Sequence, residues 1–201
     1  NRAYPDFKND SKFNNLTENT MEILFKANSF PNTLNTLMGI ESNYLLRIGD
    51  ATIPNNQLQV ATSVNNCTSA DLQLESGKWY HVAVAFNKGN VKVYINGVEK
   101  LSGSTGKSSV SLGAKHTNEE DGSRCFWVGY SYKDDRYFDG VVSEVRIWNR
   151  ALTAEEIQAT NHFYTIEPES EGLIAYWKFD EGSGTVAKDY SVSGYDLTIE
   201  K

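Results

Sequence analysis

Along much of this chain apolar residues recur at every second position, bounded by clusters of Gly, Asn, Asp and Ser, and no other feature of it restricts the fold so tightly. Successive side chains of an extended strand point to opposite faces, so this alternation marks ribbons with one buried and one wet face. TMEILFKA (20–27) sets Met21, Ile23, Phe25 and Ala27 on one face. WYHVAVAF (79–86) does the same with Tyr80, Val82, Val84 and Phe86. After NKGN the segment VKVYI (91–95) answers with Val91, Val93 and Ile95, which predicts a hairpin. Asn96-Gly97 follows directly, and a type I′ turn needs positive φ at both central residues, so the chain is expected to reverse again. Further strands are expected at 34–40, 44–48, 58–62, 126–130, 141–148 and 173–179, while 102–122, rich in Ser, Gly, Lys and Asn, reads as a long surface loop. Many short strands with polar turns predict an all-β protein, a two-sheet antiparallel β-sandwich of the jelly-roll type. A length of 201 residues suits one such domain spanning 1–201.

One stretch departs from pure alternation. In FDGVVSEVRIWNRALTAEEI (138–157), Val141, Ser143, Val145 and Ile147 share one strand face, while Val142, Glu144, Arg146 and Trp148 share the other. Glu144 and Arg146 are therefore expected to face water. Thr153 precedes Glu156 by three residues, the spacing of a capping box, and Leu152 and Ile157 stand where a hydrophobic staple forms. One short helix, near 154–160, should begin at Ala154 and close an open end of the sandwich, a structural rather than a chemical task.

Charge excludes some partners. The net charge of −7, from 19 basic and 26 acidic residues, repels a phosphate backbone, so nucleic acid is not an expected partner. No apolar run reaches the roughly eighteen residues of a membrane helix, so membrane insertion by this domain is not expected either, and no signal-peptide pattern opens the chain. Cys67 and Cys125 could form one bridge, but two buried or idle thiols is the preferred reading, and the sequons at Asn15 and Asn66 matter only in a glycosylating host.

Three segments together resemble the laminin-G-like, pentraxin-like branch of the concanavalin A-like lectin/glucanase superfamily. They are GKWYHVAVAFNKGNVKVYINGVEK (77–100), YFDGVVSEVRIWNRALTAEEI (137–157) and GLIAYWKFDEGSGTVAKDYS (172–191). The third segment opens such a domain in the family pattern and closes it here, which reads as a circular permutation with the last strands in 172–199, the start of a second copy at 172–201 being the less favoured alternative. The resemblance implies a carbohydrate-binding module on a bacterial surface lipoprotein or secreted glycan-utilisation protein, extracellular or at the cell surface. Its partners would then be glycans and other domains of the same protein. A protein-interaction or spacer domain is the alternative, and a glycoside hydrolase a weaker one.

Catalytic motifs are missing. The glucanases it resembles carry Glu-x-Asp-x-Glu or a near variant on one strand, whereas SEVRIW offers Glu144 alone. GSTGKSS (103–109) only imitates a phosphate loop, since Leu101 stands where the first glycine belongs. His81, His116 and His162 form no metal-binding spacing, and His81 reads as a satisfied structural histidine. Some members of the superfamily hold a structural Ca²⁺, and Asp180, Glu181 and Asp189 could supply oxygen ligands; the preferred reading is turn chemistry, with Asp189 accepting backbone N–H bonds.

For a carbohydrate site the richest stretch is YSYKDDRYF (130–138) with Trp127 nearby. Trp127, Tyr130, Tyr132 and Tyr137 could stack on a sugar ring, and Asp134, Asp135 and Arg136 could bond its hydroxyls. The acidic loop 116–124 is a neighbouring candidate. A hairpin tip whose tyrosines merely cover the core is the plainer alternative.

Overall fold

The computed structural model describes residues 1–7, 10–41, 43–63, 66–113, 125–131, 134–164 and 166–200. Fourteen strands build two antiparallel sheets among these residues. The strands are β1 (Arg2–Pro5), β2 (Glu18–Ala27), β3 (Asn35–Ile40), β4 (Tyr44–Asp50), β5 (Ile53–Ser63), β6 (Asn66–Gln73), β7 (Trp79–Asn87), β8 (Asn90–Ile95), β9 (Val98–Ser104), β10 (Trp127–Val128), β11 (Gly140–Trp148), β12 (Leu173–Trp177), β13 (Val186–Ala187) and β14 (Leu197–Glu200). One sheet has the order β13-β14-β1-β10-β3-β4-β5-β6 and the other β12-β11-β2-β7-β8-β9. This is the expected two-sheet sandwich, and no helix among the described residues is long and apolar enough to cross a membrane.

The alternation sets the core as read. Met21, Ile23, Phe25, Val82, Val84, Phe86, Val91 and Val93 are all buried between the sheets. Both hairpin turns use positive φ at successive residues, Lys88-Gly89 and Asn96-Gly97, as the two-residue I′ geometry demands. The terminal strands are neighbours: Arg2 faces Glu200 and Pro5 faces Leu197 across β1 and β14. β12 meanwhile pairs with β11, so the C-terminal residues contribute to both sheets.

Several expectations are corrected. β9 runs to Ser104, into the stretch read as a loop, because an edge strand wet on its outer side needs no strict alternation. β10 is only two residues long and β12 ends at Trp177, two residues before Phe179, whose φ of 50° takes it out of extended backbone. In β11 the register slips between Val142 and Glu144, a bulge at Ser143. Val142 therefore points into the core and Val141 outward, the reverse of the strict alternation predicted from sequence.

The helix α1 (Ala154–Gln158) carries the expected capping box: the Glu156 N–H donates to Thr153 Oγ1 at 3.3 Å and the Thr153 N–H to Glu156 Oε2 at 2.8 Å. It does not close an end of the sandwich. Leu152 and Ile157 pack with Ala83, Ala85, Tyr94, Trp148, Leu173 and Tyr176, so the helix lies flat on the outer face of the six-stranded sheet. Small alanines on β7 make room there, while Trp148 and Tyr176 supply an apolar surface that needs a cover.

Candidate functional site

The outer face of the six-stranded sheet is covered by α1 and the 3₁₀ turn Thr160–Phe163 at one end, while among the described residues Trp79 and Val141 stand exposed at the other. Under the cover sits Glu22, side by side with Ala83 and Arg146 in the register. Its Oε1 accepts from His81 Nε2 at 3.1 Å and His162 Nε2 at 2.5 Å, and its Oε2 from Trp148 Nε1 at 2.7 Å. Burial alone would raise this carboxyl, but the hydrogen bonds from His162 and His81 outweigh it and hold Glu22 well below the usual carboxylate range. Arg146, expected to face water, is buried here instead; it bonds the His162 carbonyl at 2.7 Å and Glu144 Oε2 at 2.5 Å. Burial would lower the guanidinium's pKa, and the neighbouring Glu22 and Glu144 more than compensate. Tyr176, pushed by burial up to about 12, donates to Glu144 at 3.1 Å.

His81 is thus a buried histidine bonded to Glu22 through Nε2 but not fully satisfied as the sequence suggested, since its Nδ1 is buried without a hydrogen-bond partner among the described residues; His162 is its counterpart on the covering turn. The ligand atoms of Glu22, His81 and His162 lie within 4.8 Å of one another, a donor set able to hold a metal ion. Both Nε2 atoms converge on one oxygen at hydrogen-bond distance, which is how a clamp between sheet and cover is built. The groove beside it holds only about 10 Å³, room for one water at most.

The other end is different. Where β1, β10 and β14 of one sheet part from β11 of the other, a cleft of about 430 Å³ opens, in the range of roughly 300–1,000 Å³ typical of small-molecule sites. Val128, Phe138, Val142, Phe179 and Ile199 give it an apolar lining, with Val141 on its lip. The Phe138 N–H donates to the Gly129 carbonyl at 2.9 Å, closing the base of the 130–137 loop against the cleft wall. Beside the loop, Asp139 accepts from Asn28 Nδ2 at 3.1 Å and Ser29 Oγ at 2.5 Å, and Asn32 Nδ2 donates to the Tyr137 carbonyl at 3.0 Å. The polar residues that line the cleft itself are Asn1 and Arg2.

The residues singled out in the sequence fall into two groups. Trp127 and Tyr130 are buried on the outer face of the eight-stranded sheet, edge to face at 5.2 Å, with Tyr4 against Trp127 and the Arg2 guanidinium 4.5 Å over Tyr130. Arg136 is paired with Glu41 at 2.8 Å. Asp135 and Tyr137 stand exposed on the loop, Tyr137 at 44%. Tyr132 and the side chain of Asp134 lie outside the described residues, as do the acidic loop 116–124 and the side chain of Cys67; Cys125 is buried against Trp127. Sequence reasoning missed the cleft itself, since Ala3, Ile199 and Phe179 come from the chain's two ends and Val141 was assigned inward.

The three carboxylates weighed for Ca²⁺ are engaged in local bonds. Asp189 accepts from the backbone N–H groups of Tyr176, Ser191 and Tyr195, Glu181 from that of Lys188, and Asp180 from the Tyr190 hydroxyl. That is the turn chemistry preferred on sequence grounds.

Two antiparallel sheets define the class, a β-sandwich of the jelly-roll type. More particularly, the model of the concanavalin A-like lectin/glucanases superfamily matches residues 2–158, and the chain belongs to that superfamily. β12, β13 and β14 lie beyond the matched residues. A solved protein of Bacteroides ovatus, named provisionally for carbohydrate binding, is 26% identical with a TM-score of 0.78 over 100% of this chain and 58% of its own. The chain therefore spans less than two thirds of that protein's solved length. Domain 4 of AbnA, an extracellular arabinanase from Geobacillus stearothermophilus solved with arabinotriose, is 25% identical with a TM-score of 0.53 over 71% of this chain and 65% of that one. A SAP-like pentraxin of Limulus polyphemus, 17% identical with a TM-score of 0.59 over 99% and 94%, shares the fold. No curated protein matches the sequence.

Proposed function

We propose that this protein is a non-catalytic carbohydrate-binding module acting outside the cell or on its surface, within a larger glycan-utilisation protein. The observation that carries the reading is the cleft: an apolar floor of Val128, Phe138, Val142, Phe179 and Ile199 beside the polar Asn1 and Arg2. The apolar face of a sugar ring fits such a floor while its hydroxyls meet the polar groups of Asn1 and Arg2. The Bacteroides ovatus protein and the arabinotriose-bound domain support carbohydrate as the ligand class. A non-catalytic role is favoured by the state of Glu22, whose two oxygens are taken by three donors beside a groove too small for a sugar. Screening on a glycan array tests the reading, with Val141→Arg as the control. Val141 is exposed on the lip of the cleft, so the variant should fold and lose the glycans that the wild type retains. A folded wild type silent across a broad array, or binding unchanged in Val141→Arg, would overturn it.

A further inference from the structure

Of the four tryptophans, Trp127, Trp148 and Trp177 are at most 4% exposed, whereas Trp79 is 45% exposed. Exposure of so large an apolar side chain is the informative exception in a sandwich whose other indoles are buried. Its neighbours are fixed by register. Trp79 faces Lys26 across β7 and β2, and Lys26 faces Val141 across β2 and β11. The adjacent row, Tyr80, Phe25 and Val142, points into the core, so the row Trp79, Lys26 and Val141 is forced onto the outer face. The bulge at Ser143 is what brings Val141 into this row; without it Val141 would point inward with Val145.

Val141 also lines the cleft, so the row runs from the cleft lip across the bare end of the sheet to the indole. Two strand spacings separate its ends, about 10 Å, too far for one sugar ring to touch both. Between them the Lys26 ammonium lies 5.4 Å from the Trp79 ring centroid, a cation positioned to donate to a hydroxyl passing over the strand.

We infer that the recognition surface continues from the cleft along Val141 and Lys26 to Trp79, so that the ligand is a glycan chain several sugars long with a second, stacking subsite on the indole. The inference rests on the cleft being the glycan site. A ring of the chain covers Trp79 with its apolar C–H face, and Lys26 turns from the indole to the chain's hydroxyls. The α1 cover leaves this route clear, since it packs on the Ala83, Ala85, Trp148 and Tyr176 half of the sheet.

The test is a size series of arabino-, xylo- and cello-oligosaccharides, monomer to hexamer, titrated by calorimetry and by indole fluorescence into wild type, Trp79→Ala, Trp79→Tyr and Val141→Arg. Affinity should rise with length until the chain reaches Trp79, and at that length the fluorescence should shift. Trp79→Ala should lose the gain, about tenfold, while leaving the shortest binder unchanged, and Trp79→Tyr should recover most of it. Val141→Arg should lose every length. Long chains bound equally by wild type and Trp79→Ala, with Val141→Arg silent, would sink the extension and leave the cleft reading standing. No binding of any sugar would sink both. A concentration-dependent dimer of the wild type that Trp79→Ala abolishes would reassign the indole to self-association and overturn the inference.

Discussion

Strands β2, β7 and β11 carry two different surfaces on one outer face. Toward one end their outward residues are Glu22, Ala83 and Arg146, closed over by α1 and His162 in a network of buried charge. Toward the other they are Lys26, Trp79 and Val141, bare to solvent beside the cleft. The backbone is the same ladder; what differs is the chemistry and the cover. Removing the partner of a buried charge is costly, which ties the covered end to the integrity of the fold. An exposed indole contributes little to folding and is available to a ligand. On the function proposed above, the contrast gives stability to one end of the sheet and recognition to the other.

The largest expected effect tests the covered end. Glu22→Ala strips His81, His162 and Trp148 of a shared acceptor and leaves Arg146 poorly compensated, so urea unfolding should show a loss of about 3–5 kcal/mol. A loss below 1 kcal/mol, on the order of an exposed pair, would mean that the network is incidental. Acid should act through the same group. The folded state depresses the Glu22 pKa below its ordinary value of 4.5, so its contribution is complete above that pH and drains away as pH falls further. The thermal midpoint of Glu22→Gln should accordingly fall less steeply below about pH 4.5 than that of the wild type. Parallel acid profiles would remove Glu22 from the account.

A smaller effect is expected where the cover is tied down. Thr153→Ala removes the capping-box acceptor of α1 and should cost about 1 kcal/mol, read as a lower urea midpoint with unchanged slope. Smallest of all, Trp79→Ala should stay within about 0.5 kcal/mol of the wild type. An indole whose removal cost as much as that of Glu22 would be structural, and the division between the two ends would collapse.

The fold was legible because alternation survives wherever one strand face is dry. Met21 to Ala27 and Tyr80 to Ile95 behaved as read, and the capping box at Thr153 was visible from spacing alone. Three things were not. A bulge leaves no mark in composition, so Val141 was turned the wrong way. A strand with a covered outer face carries polar residues on a surface that looks solvated, so Glu144 and Arg146 were placed in water; only the wider contact of Leu152 and Ile157 with Trp148 and Tyr176 reveals the cover. The cleft joins Ala3, Val128, Phe138, Phe179 and Ile199, residues spread from one end of the chain to the other, and no local pattern connects them. Trp127 and Tyr130 drew attention as aromatics in a polar stretch, yet their rings are packed against Arg2 and Tyr4, and among the described residues of the stretch Tyr137 is the exposed ring.

Diffraction from a crystal soaked with the longest arabino-, xylo- or cello-oligosaccharide that binds tests the division of labour most directly. Sugar density seated against Phe138, Val141 and Phe179 and running toward Trp79 is the predicted result. Density lodged instead against the α1-covered half of the sheet, with the cleft and the indole bare, would contradict it.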